Sequence, residues 1–322
     1  MLRKIMKMLR PGARGNSAGG RALPSIDRSE IASFLSVHQG LPQLDWGAAE
    51  AWIERKATRP GACESLKRAV AAAWLDELRD ALTDDHRRWR NVRVEGLAPL
   101  EGNNSQRVAR GTDGAIKVIE KALRPIRGDD PIPPFAVVAL NSSDNYYSFI
   151  SHFYPEEGEW GTSGGVYIND GADSFPIIAL PTNLQWALEQ TVAHELTHHS
   201  LRGAELPIWV EEGLTQMMEE RVTGVSNFRL DREMLSRQRD RWLDGDLESY
   251  LSGASFSSAE DDTQELAYHL SQLVVRGLLS REPDRFFEFA RACRKTSWNE
   301  AALEHIGQTP EELIERALNV QV

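Results

Sequence analysis

The segment Leu184-Gln185-Trp186-Ala187-Leu188-Glu189-Gln190-Thr191-Val192-Ala193-His194-Glu195-Leu196-Thr197-His198-His199-Ser200-Leu201 divides this chain of 322 residues into two textures. Pro181-Thr182-Asn183 supplies a helix start ahead of it, and Leu188, Val192 and Leu196 form an apolar stripe at four-residue spacing. Before this helix, residues 91–95 alternate with period two, and residues 115–119, 135–140, 165–168 and 177–180 are short β-rich runs. Gly102-Asn103-Asn104-Ser105, Arg127-Gly128-Asp129-Asp130-Pro131 and Asn169-Asp170-Gly171 supply the turns between them. After it, helical patterns cover residues 266–279 and 285–293. The last helix starts at Thr309, with Pro310 at its first position and Glu312 closing a capping box. Strands first and helices afterwards predict an α+β fold. A small mixed or antiparallel sheet is expected over 91–180, the motif-bearing helix over 184–201 and a helical C-terminal part over 208–320.

Working towards the N-terminus, residues 24–90 read as a helical region. Asp27-Arg28-Ser29-Glu30 leads into Ile31, Phe34 and Leu35, a pattern that stops around Gly40-Leu41-Pro42. A second pattern covers residues 46–53, and Leu66, Val70, Trp74, Leu78 and Leu82 mark an amphipathic helix. Trp46, Trp52, Trp74 and Trp89 in this region read as packing residues. Residues 1–23, which hold Arg3, Lys4, Lys7, Arg10, Arg14 and Arg21 without an acid, are expected to be a flexible basic tail. Lysines interrupt its apolar positions, so a secretory signal is not expected, and no run reaches the ~18–20 apolar residues of a membrane span. The net charge of -11 argues against a nucleic-acid partner. Cys63 and Cys293 form no C-x-x-C pattern, which together with the missing signal predicts a cytoplasmic setting. Asp261-Asp262 and Glu156-Glu157-Gly158-Glu159 read as solvated loop charges. Ser200 lacks the surroundings of a nucleophilic serine.

Any metal must then be held by histidine and carboxylate. His194 and His198 stand at i and i+4, so both imidazoles leave one helix face, off the apolar stripe. Glu195 between them borders the open side of such a site. His199, at i+5 from His194, lies about 140° around the helix and is disfavoured as a shared ligand. A third ligand is needed. Glu205, Glu211 and Glu212 are at hand, with Glu219 and Glu220 further on, and periodicity does not choose between Glu211 and Glu212.

The arrangement His194-Glu195-Leu196-Thr197-His198, with Trp209-Val210-Glu211-Glu212-Gly213-Leu214 placing Glu212 14 residues after His198, resembles the gluzincin metallopeptidases, the thermolysin-like and aminopeptidase-like group. The resemblance spans roughly residues 135–320 and implies a zincin-like domain over residues 91–322. It implies Zn2+ bound by His194, His198 and Glu212, with Glu195 as general base for hydrolysis of a peptide or protein substrate. Glu211 or Glu219 would orient the imidazoles. Gly164-Gly165-Val166-Tyr167-Ile168-Asn169 has the position of the family's substrate-binding edge strand, its glycines letting a peptide backbone approach. Ala267-Tyr268-His269-Leu270 falls where the family has an oxyanion-stabilising residue, which makes Tyr268 a candidate, with His269 and Tyr250 as competitors. The family's G-x-M-E-N stretch is missing, so the expectation is an endopeptidase-like enzyme rather than an aminopeptidase. The alternative is a zinc-holding scaffold or interaction protein without turnover, against which the retained Glu195 argues.

Overall fold

The computed structural model describes residues 23–320 apart from 60, 83–84, 155–163, 170–173, 184–186, 244 and 259–261. The tail up to residue 22, Glu156-Glu157-Gly158-Glu159, Asp170-Gly171, Asp261 and the expected helix start at 184–186 lie outside the described residues. The chain begins with α1 (Arg28–Ala32), a hairpin of β1 (Leu35–His38) and β2 (Leu41–Leu44), α2 (Trp46–Lys56) and α3 (Ala62–Ala81). A sheet-forming stretch follows: β3 (His86–Arg90), β4 (Val94–Pro99), α4 (Asn104–Arg127), β5 (Phe135–Leu140), α5 (Ser143–Ile150), β6 (Val166–Ile168) and β7 (Ile177–Pro181). The rest is helical: α6 (Leu188–Leu201), α7 (Ile208–Thr223), α8 (Arg232–Trp242), α9 (Leu247–Ser252), α10 (Thr263–Arg281), α11 (Pro283–Ala292), α12 (Trp298–His305) and α13 (Pro310–Leu318). The fold is α+β. Among the described residues no helix is long and apolar enough to cross a membrane.

The sheet has the order β3-β4-β5-β7-β6 and is mixed, with β4, β5 and β7 parallel and both outer strands antiparallel to their neighbours. β5 reads Phe-Ala-Val-Val-Ala-Leu and is buried throughout. This is what a central strand covered on both faces requires. Because side chains alternate, Phe135, Val137 and Ala139 join one core with α4 and α6. Ala136, Val138 and Leu140 join a second core with α3, α5 and the N-terminal hairpin. The N-terminal hairpin, α2 and α3 thus pack directly on the sheet. Trp74 stacks on Phe149 and donates its indole N–H to Pro42 O at 2.9 Å. Glu95, fully buried on β4, accepts hydrogen bonds from Arg68 of α3 at 2.8 Å and Arg88 of β3 at 3.2 Å.

Four local expectations are corrected. The helical pattern expected to run from Ile31 to about Gly40 gives way to the β1–β2 hairpin. Its turn residues Gln39 and Gly40 both have positive φ (48° and 82°), the conformation of a tight two-residue hairpin turn. Residues 115–119, expected as a strand, lie inside α4. The buried set Val108, Thr112, Ala115, Ile116, Ile119, Leu123 and Ile126 keeps helical spacing through most of the 24-residue helix and outweighs the short apolar run. Asn91 and Val92 form a turn rather than a strand, because Asn91 Oδ1 accepts from the backbone N–H of Arg93 and Val94, both at 2.7 Å. The expected helical region over 24–90 also ends early, since His86–Arg90 form strand β3, whereas α3, β5, β7 and α10 stand where the periodicity put them and α13 carries the expected Thr309–Glu312 capping box.

Candidate metal centre

α6 carries His194, Glu195 and His198 towards α7, while Leu188, Val192 and Leu196 bury the opposite side against the sheet. The two helices are joined by residues 202–207, where Gly203 and Glu205 adopt positive φ, and α7 starts after Pro207. The turn brings α7 back along α6 and presents a row of acids to the imidazoles. His198 Nδ1 donates to Glu211 Oε1 at 2.8 Å and His194 Nδ1 donates to Glu219 Oε1 at 2.7 Å. Both Nε2 atoms then point at Glu212, whose carboxylate oxygens lie 3.5 Å from His198 Nε2 and 3.7 Å from His194 Nε2.

The five acids weighed on sequence grounds separate cleanly. Glu205 is exposed in the turn and Glu220 pairs with Arg276. Glu211 and Glu219 stand behind the imidazoles, where they fix ring tautomer and orientation. Glu212 alone faces both Nε2 atoms. Its carboxylate is buried, and among the described residues Oε2 has no hydrogen-bond partner. A buried anionic oxygen without a partner is costly unless a cation meets it. One ligand atom each from His194, His198 and Glu212 lies within 4.8 Å of the others, so the cluster can hold a metal ion. Two imidazole nitrogens and a carboxylate oxygen suit a borderline-soft divalent cation.

The electrostatics agree with the geometry. Burial lowers the His194 pKa, but the Glu219 hydrogen bond and the charges of Glu195 and Glu212 outweigh it and push it up to about 10. His198 is also raised, the Glu211 hydrogen bond and the Glu212 charge overcoming burial. Burial raises Glu212 against the pull of both imidazoles. The two Nε2 atoms are 3.2 Å apart, so both imidazoles present the same edge to Glu212.

Glu195 is almost fully buried, and its charge acts on His194, Glu212, Tyr154 and Tyr268. Tyr268 comes from α10, its ring centroid 6.4 Å from that of His194. Burial and the charges of Glu212, Glu195 and Glu219 raise its pKa, so it remains a hydroxyl donor. The competitors are placed elsewhere. Tyr250 is buried and hydrogen-bonds Ser271 Oγ at 3.0 Å, while His269 Nε2 donates to Arg229 O at 2.6 Å and its ring stacks on Phe228. His199 is fully buried on the sheet side of α6, donating from Nε2 to Pro133 O at 2.9 Å and accepting at Nδ1 from the Tyr167 hydroxyl at 3.2 Å. Burial drives its pKa down to about 4.

Two features escaped the sequence reading. Tyr154 follows α5, and its pKa is raised by burial and then by Glu195. Its position depends on how the sheet brings residue 154 to α6, which no local pattern encodes. Gly165 has a different reason from the one expected. A β-carbon there would stand 2.4 Å from Thr191 Cγ2, so the glycine lets the edge strand β6 approach α6 rather than admitting a peptide. The centre has to be read from its own chemistry, since the chain matches no protein-family model and none of the curated proteins.

Proposed function

We propose that this chain is a zinc-dependent metallopeptidase of gluzincin type. The carrying observation is the Glu212 carboxylate, buried with an oxygen that lacks a hydrogen bond among the described residues, in front of two imidazole nitrogens whose far sides are already held by Glu219 and Glu211. His194, His198 and Glu212 would hold the ion, and three protein ligands leave a coordination position open for substrate chemistry. When bound, zinc supplies a Lewis acid that makes a water acidic near neutral pH and polarises a carbonyl. Glu195 takes the proton of the attacking water and passes it to the leaving amine. Tyr268, kept protonated by burial and the surrounding acids, donates a hydrogen bond to the oxygen that gains charge as the carbonyl is attacked. Glu219 and Glu211 keep the Nδ1 protons in place, leaving each Nε2 lone pair free for the ion. β6, at the edge of the sheet and next to α6, is where an extended peptide would add as a further strand.

The test is metal analysis together with Glu195→Gln. The wild-type protein should bind one zinc and cleave a denatured protein substrate; the variant should bind zinc with unchanged affinity and lose cleavage by at least ~100-fold. A variant with full activity would remove Glu195 from the role of base. A protein that takes up no zinc would overturn the reading altogether.

A further inference from the structure

A cleft of about 580 Å³ opens beside the metal cluster, between α4, the start of α6 and the end of α7. On α6 it is bordered by Gln190, four residues before His194, and on α7 by Val222 and Thr223, three and four residues after Glu219. At about 1.5 Å of rise per helical residue, Gln190 lies about 6 Å along α6 from His194 and Val222 about 15 Å along α7 from Glu212, so at about 3.3 Å per extended residue the cleft lies roughly two to five peptide residues from the ion's place. Its volume is in the range of sites that hold small ligands.

The floor is made by two glycines in the interior of α4, Gly111 and Gly114. Glycine weakens a helix interior relative to alanine, so its presence needs a reason. Packing does not supply one. Among the described residues, a β-carbon at Gly111 would meet only Glu189 Cγ, at 3.5 Å, and one at Gly114 would meet nothing within 4 Å. What the two glycines provide is open space in the cleft.

The lining then defines the ligand. Val118, Val222 and Val225 give apolar contact, and Gln190 and Asn227 give amides. The acid on the wall, Glu189, is gripped by Arg107 through Nε at 2.9 Å and Nη2 at 2.7 Å, so its charge is balanced. Arg110, on the same helix and exposed at the rim, makes no hydrogen bond or ion pair among the described residues. A cation is left over in a chain whose net charge is -11. A guanidinium over an apolar recess matches a carboxylate carried next to an apolar side chain.

We propose that this cleft seats the C-terminal residue of a peptide, its carboxylate on Arg110 and its side chain among Val118, Val222 and Val225. The inference rests on the peptidase reading for calling that peptide a substrate, and does not need it for the binding. The test is calorimetric titration of the full-length Glu195→Gln protein, in which a peptide persists, with Ala-Ala-Leu and with its C-terminal amide. The free acid should bind at least roughly tenfold more tightly than the amide. Arg110→Gln should erase that preference, and Gly114→Leu should abolish binding of both peptides without lowering the thermal midpoint. Equal binding of acid and amide, a preference that survives Arg110→Gln, unchanged affinity in Gly114→Leu, or no binding of either peptide would each overturn the proposal. Turnover is read separately on the zinc-loaded wild type. Binding of the acid without cleavage of any peptide refutes the hydrolase and leaves the cleft assigned, whereas cleavage indifferent to the carboxylate does the reverse.

Discussion

Gly213→Ala probes the close approach of α7 to α10 next to Glu212 of the candidate metal centre. Gly213 lies inside α7, where alanine ordinarily improves a helix by roughly 1 kcal/mol over glycine. Here the opposite sign is expected. A β-carbon at this position would stand 2.4 Å from the carbonyl oxygen of Ser271 and 2.6 Å from Val275 Cγ2, both on α10. The nearer obstacle is backbone and cannot rotate away. α7 and α10 must therefore part by roughly an ångström, an overpacking cost of about 1–3 kcal/mol, which exceeds the gain in propensity. Glu212 is the neighbouring residue and shifts with the backbone. Metal–ligand distances tolerate only about 0.2 Å, so zinc affinity should fall at least roughly tenfold. The assays are urea unfolding with chelator present and competition for zinc against a chromophoric chelator. Gly277→Ala on α10 is the control, because nothing lies within 4 Å of its added carbon. It should raise stability by up to about 1 kcal/mol. If Gly213→Ala behaved like Gly277→Ala, with unchanged zinc affinity, the α7–α10 contact would not govern the centre.

Glu219→Gln should weaken zinc binding by roughly 10–100-fold, because the group behind His194 loses its charge, while Glu220→Gln one residue on should leave affinity unchanged. The comparison is made by the same chelator competition, and equal effects of the two changes would refute the orienting role. His199 predicts acid sensitivity. Its folded pKa, about 4, lies below the unfolded value of about 6.5, so the unfolded chain takes up the proton first. The stabilisation is complete above the unfolded value and is lost as pH falls from about 6.5 to 4, up to about 3 kcal/mol in all. Urea midpoints of metal-free wild-type protein and His199→Gln across that window should converge at low pH. A constant difference would show that His199 does not titrate as described.

The elements legible in the sequence are those whose pattern is local and long. α3 shows its stripe over five turns and α13 announces its start through Thr309, Pro310 and Glu312. α4 was harder. Gly111 and Gly114 interrupt it and its most apolar stretch is short, so the helix is recognisable only when its buried positions are traced over its full length. The β1–β2 hairpin hides because Gln39 adopts a left-handed conformation without being glycine or asparagine. At the centre, the imidazole pair is visible because i and i+4 on one helix is a local relation. Ranking Glu211, Glu212 and Glu219 needed the direction in which α7 returns along α6, set by the turn over residues 202–207. Helical periodicity gives an angle about an axis but not the position of that axis. Tyr154 comes under the charge of Glu195 only through the fold, and no spacing in the chain records that.

α6 contributes the imidazoles of the centre, and α7 contributes the carboxylate facing them together with the two acids behind them. Neither helix could close a site alone, and the segment between them is short enough that bringing them together costs little chain entropy. An ion placed there is therefore a bolt through two rods rather than a guest in a finished hole. Part of its binding free energy is docking free energy of α6 on α7. Through Gly213, α7 is seated on α10, so loosening the bolt should be felt in the C-terminal helices, as faster amide exchange in α10 when zinc is stripped away.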